Sequence, residues 1–79
     1  MIDLSKDPKG HERLEAICNN KHRDAGEWIL YAEGHFGENV GLSKIGSTAM
    51  RLYEEGKVNL FQKRVSLDPL VCAYYAQVR

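Results

Sequence analysis

Asp24-Ala25-Gly26-Glu27-Trp28-Ile29-Leu30-Tyr31-Ala32-Glu33-Gly34-His35-Phe36 is the stretch on which the fold turns. Asp24 and Glu27 stand in capping-box positions, with Asp in place of Ser or Thr. Ala25, Trp28, Ile29, Ala32 and Phe36 then recur at spacings of 3, 1, 3 and 4, which predicts an amphipathic helix closed by Gly34 and Gly37. Trp28 and Phe36, the bulkiest apolar groups on that stripe, are expected to anchor the core against Leu14 and Ile17. Leu30 and Tyr31 fall off the stripe and would face outward.

Upstream, Asp7-Pro8 has the form of a helix start, the carboxylate capping and the proline fitting the first position. His11, Leu14, Ile17 and Cys18 share a face, so a first helix is expected from about residue 8 to about residue 20, with Gly10 weakening it. Downstream, Gly37 to Leu42 reads as a connector. Ser43 caps a helix that Gly56 ends, with Leu42, Ile45, Ala49, Leu52 and Tyr53 as its buried stripe. Gly46 inside that helix is costly unless something approaches closely. Lys44, Ser47, Thr48 and Arg51 gather on its opposite side, within about 100° of arc.

From Val58 the period becomes two. Val58 to Val65 reads as a strand, Ser66 to Pro69 as a turn and Leu70 to Val78 as a second strand. Leu70, Cys72, Tyr74, Ala76 and Val78 share the face expected to lie on the helices. The predicted fold is therefore α+β: one domain over residues 1–79, three helices followed by a C-terminal antiparallel β-hairpin.

The segment Ser43 to Arg79 resembles the winged helix-turn-helix proteins. The likeness lies in the polar helix face, the helix end Leu52-Tyr53-Glu54-Glu55-Gly56-Lys57-Val58 and the basic hairpin after it. Small domains of this kind are found among phage and mobile-element proteins. The resemblance implies a helix in the major groove of double-stranded DNA and a wing on the backbone. Carried over by position, Lys44, Ser47, Thr48 and Arg51 would face DNA, and Lys63 and Arg64 would meet phosphates. The connector is longer than the usual three-to-four-residue turn.

Charge sharpens the picture. The 79 residues balance at zero net charge, which argues against a generic nucleic-acid coat. Residues 1–40 carry five Lys/Arg against eight Asp/Glu, and residues 41–79 carry six against three, so the basic half is the one that resembles a DNA reader. The alternative is a protein-binding inhibitor or adaptor acting on a host complex. Its evidence is Leu30 and Tyr31 off the helix stripe, and Val71, Ala73 and Tyr75 on the hairpin's second face. Pairing of Ile2-Asp3-Leu4 as an extra strand, or a homodimer through the hairpin, would also cover such a surface.

Catalytic and cofactor motifs are not expected. The sequence has no GxxxxGK[ST] or GxGxxG loop, and Cys18, His22, His11, His35 and Cys72 lack the paired spacing of a zinc site. No metal, cofactor or enzymatic activity is predicted. Two cysteines make no disulfide framework, and the amino terminus has no apolar leader pattern. The longest wholly apolar run, Leu70 to Ala76, is far short of a membrane span, so a cytoplasmic protein is expected.

Overall fold

The computed structural model describes residues 1–35, 43–67 and 70–79. In chain order the elements are β1 (Ile2–Asp3), α1 (Gly10–Asn19), β2 (Trp28–His35), α2 (Lys44–Glu54), β3 (Val58–Leu67) and β4 (Leu70–Val78). The strands form one four-stranded sheet in the order β1-β2-β4-β3. β1 runs parallel to β2, while β2 and β3 flank β4 antiparallel.

The fold is α+β, but it is not three helices followed by a hairpin. The helix expected over residues 24–36 is replaced by a turn and β2. Asp24 to Glu27 closes as a turn, with the Glu27 N–H donating to the Asp24 carbonyl at 3.1 Å. Gly26 has φ of 91°, a left-handed conformation that an L side chain resists. From Trp28 onward the chain pairs with β4, from Trp28 opposite Gln77 to His35 opposite Val71. Trp, Ile and Tyr suit a pleated surface at least as well as a helix, and the β4 ladder decides between them. Trp28 therefore does not anchor the core: it stands 39% exposed, while the supposedly outward Leu30 and Tyr31 are 8% and 6% exposed. Phe36, the expected connector 37–42 and residues 68 and 69 of the expected turn lie outside the described residues, while Ser66 and Leu67, also expected in that turn, belong to β3.

β1 is the extra strand considered for Ile2-Asp3-Leu4, and it pairs with β2, not with the hairpin; Leu4 N–H extends the contact to the Leu30 carbonyl at 2.8 Å. The first helix begins later than Asp7-Pro8 suggests. Asp7 instead accepts the Lys9 N–H at 2.9 Å and binds Arg13 at 2.7 Å. Gly10 opens α1, where a Cβ would come within 2.9 Å of Ile45 Cδ1 and 3.0 Å of the Leu4 carbonyl. Its small size lets α1 lie close to α2.

The second helix is bounded as expected. Ser43 Oγ accepts the Gly46 N–H at 3.0 Å. At the other end the Gly56 N–H reaches the Tyr53 carbonyl and the Lys57 N–H the Leu52 carbonyl, a Schellman closure with Gly56 at φ 77°. Tyr53, expected in the buried stripe, is exposed under the Arg79 guanidinium. The core joins Leu14 and Cys18 of α1 with Ala49 and Leu52 of α2. Against them lie Ile29 and Tyr31 of β2, Val58 of β3, and Ala76 and Val78 of β4. Both helices thus pack on one face of the sheet. Among the described residues no element covers the other face.

Candidate interaction site on the sheet

Pairing fixes which residues share the uncovered face, because directly opposed residues in an antiparallel ladder point the same way. Leu30 opposes Tyr75, and Tyr75 opposes Phe61; Glu33 and Lys63 flank Ala73, and Val71 opposes Ser66. Alternation sends Tyr31 to the helix side with Ile29, and a bulge between Leu30 and Ala32 keeps Ala32 on that side as well. There the Tyr31 ring centroid lies 6.3 Å from that of Tyr74, and burial, with Tyr74 adding to it, pushes the Tyr31 hydroxyl up to about 12.

Three aromatic rings from three strands meet on the uncovered face. Trp28 lies 4.9 Å from Phe61 at an interplanar angle of 52°, and 6.2 Å from Tyr75 in an edge-on arrangement at 87°. The rings leave a shallow hollow of about 250 Å³ lined by Met1, Trp28, Phe61, Lys63 and Tyr75. Leu30 and Ala73 are buried on the same face, yet Trp28 and Phe61 remain 39% and 44% exposed. The resulting surface is apolar at its centre, with the Lys63 cation at its rim.

The residues expected to face DNA are placed on three different surfaces. Lys44, Ser47, Thr48 and Arg51 do line α2, and the Thr48 hydroxyl and the Arg51 guanidinium are engaged locally. Thr48 Oγ1 donates to the Lys44 carbonyl at 2.8 Å, and the Ser47 N–H donates to the Ser43 carbonyl at 2.9 Å. Arg51 bridges Glu15 at 2.9 Å and Glu55 at 3.4 Å; the Glu15 hydrogen bond, reinforced by its charge and by Glu55, holds the guanidinium more firmly protonated. Lys63 lies on the uncovered face, away from α2, whereas Arg64, opposite Cys72, is on the helix side. No single flat surface carries all six.

Of the residues expected at a protein interface, Leu30, Val71 and Tyr75 fall on the uncovered face, and Tyr31 lies in the core. Trp28 and Phe61 were missed. Phe61 had a signal, since alternation from Val58 and Leu60 places it opposite the core-facing residues. Trp28 was hidden by the helical reading of its segment. Among the described residues no three His, Cys, Asp or Glu side chains are grouped to hold a metal ion. Cys18 and Cys72 are buried free thiols, and burial pushes that of Cys18 up. No described helix is long and apolar enough to cross a membrane. Comparison with protein families, with curated proteins and with solved structures gives no match for the chain.

Proposed function

We propose that the protein is a small non-enzymatic binding module, an inhibitor or adaptor that acts on another protein through the uncovered face of its sheet. The observation that carries this is the Trp28–Phe61–Tyr75 cluster, in which Trp28 and Phe61 are left substantially in water on a strand scaffold. Aromatic side chains supply much of the binding energy at protein interfaces, and a contiguous exposed apolar patch marks such a surface. Leu30 and Val71 extend it along β2 and β4, and Lys63 adds a polar rim. Regulation through double-stranded DNA is supported less, because Arg51 is already neutralised by two carboxylates and Lys63 faces away from α2.

A photoreactive side chain introduced at Tyr75 tests the reading in an extract of the cell that makes the protein. One specific adduct is expected. Phe61→Ala and Trp28→Ala should lower the affinity for the captured partner at least about tenfold, the scale of an interface anchor. Equal affinity in both variants would remove the aromatic face from the function. Binding of mixed duplex DNA at low salt, lost in Lys44→Ala with Arg51→Ala and kept in Phe61→Ala, would replace this reading by the DNA one.

A further inference from the structure

β3 is the outer strand of the sheet, and its free edge adjoins an apolar groove. Its inner side pairs with β4 in unbroken register from Val58 to Arg64, and a bulge follows before Ser66. In an antiparallel ladder every second residue of an edge strand directs its N–H and C=O outward. Among the described residues no backbone group takes those positions along β3. The groove, about 310 Å³, lies between α2 and the sheet and reaches β3, walled by Tyr31, Gly46, Met50, Leu60, Gln62 and Tyr74.

Charge narrows what such an edge accepts. The ten residues of β3 hold Lys63 and Arg64 and no acid, and among the described residues neither cation has a carboxylate within ion-pair distance. Alternation sends the two cations to opposite faces. A second copy laid antiparallel on this edge about the middle of β3 would bring the basic pairs together, which is how natural edge strands discourage self-association. A strand with two adjacent acidic residues meets the opposite condition, one carboxylate reaching Lys63 on one face and the next reaching Arg64 on the other.

We infer that β3 is an acceptor edge for strand addition by an acidic, extended peptide segment of the partner protein. This rests on the proposed protein-binding function and names the chemistry of the partner. Main-chain bonds to β3 supply orientation, the adjacent acidic pair meets Lys63 and Arg64, and an apolar side chain on the helix side enters the groove beside Met50 and Leu60. The same register lets a side chain on the other face continue onto Phe61.

Selection from a display library of fully randomised twelve-residue peptides against the intact chain tests the inference. Selected peptides should be enriched in adjacent acidic residues flanked by β-branched or aromatic ones, and should protect alternate β3 amides from hydrogen exchange. Lys63→Glu combined with Arg64→Glu should weaken them at least about tenfold, as attraction becomes repulsion, and should favour the same peptides with their acids changed to lysine. Both positions are exposed, so an unchanged unfolding midpoint confirms that the double variant is folded. Selection of peptides indifferent to the charge reversal, protection confined to other strands, selection of none, or tighter binding of a ten-residue oligothymidine would overturn strand addition. Dimerisation through β3 in sedimentation would overturn it as well. Capture at Tyr75 that survives the double reversal would overturn it too, while leaving the binding function of the uncovered face intact.

Discussion

The two faces of the sheet are built from the same strands yet differ in how their apolar residues are enclosed. On the helix side, Ile29, Val58, Ala76 and Val78 lie under Leu14, Cys18, Ala49 and Leu52, and each of these is almost inaccessible to water. On the other side, Trp28 leans on Phe61 and Tyr75, and both Trp28 and Phe61 stay more than a third exposed beside the buried Leu30 and Ala73. The first face gains its stability by exclusion of water on every side, the second by partial shielding within one layer. Side-chain size therefore does not rank these residues. The largest ring in the molecule sits where its removal leaves a dent, and a smaller isoleucine sits where removal leaves a hole.

That contrast is open to direct attack. Ile29→Ala should have the largest effect, destabilising the protein by about 2–5 kcal/mol in urea denaturation, since it opens a cavity under the helices. Trp28→Ala removes far more atoms and should cost only about 1–2 kcal/mol, the worth of partial burial and two ring contacts. Equal losses would mean that the second face is a core in its own right.

The next test uses alkali. Tyr31 on the helix side holds its proton to about 12, against an ordinary value of 10.0. Between those values the unfolded chain has released this proton and the folded chain has kept it, so stability falls as pH rises from 10 towards 12. Below pH 10 both states hold the proton and the group contributes no pH dependence. Denaturation midpoints measured at pH 9, 10 and 11 should decline more steeply for the parent than for Tyr31→Phe. Identical slopes would place Tyr31 in water.

Smallest of all should be Lys63→Ala, on the uncovered face. A stability change within about 0.5 kcal/mol is expected, whatever happens to binding. A larger loss, measured by thermal unfolding, would show that Lys63 helps to hold the aromatic cluster together.

How far the amino-acid sequence discloses this arrangement depends on where each element's determinants lie. α2 carries its own, with Ser43 capping one end and Gly56 turning left-handed at the other, and both are legible within a dozen residues. β3 and β4 announce themselves by alternation, and Val71 and Tyr75 were placed correctly opposite the core-facing residues. β2 has no such local mark. Trp28-Ile29-Leu30-Tyr31 is an unbroken apolar run that satisfies a helical stripe as readily as a strand. What settles it is a ladder to residues 71–77, reached only after a helix and another strand have intervened. Leu30 lies on the uncovered face although the helical argument for it is incorrect, and Tyr31 lies on the other because adjacent residues of a strand point to opposite faces. The polar stripe of Lys44, Ser47, Thr48 and Arg51 on α2 was legible too, but sequence spacing could not show that Glu15, from another helix, would neutralise Arg51.

The strand order carries a consequence for how the protein is made. β4 is late in the chain but central in the sheet, with β2 on one side and β3 on the other. During translation the earlier strands leave the ribosome without their common neighbour, and β2 has only the two-residue β1 to pair with. Beyond the β1–β2 pair no part of the sheet can close until residues 70–78 have been synthesised, and most of its strand pairings are then acquired together. A stop codon within β4 would accordingly yield an open chain for proteolysis, not a shortened version of the domain.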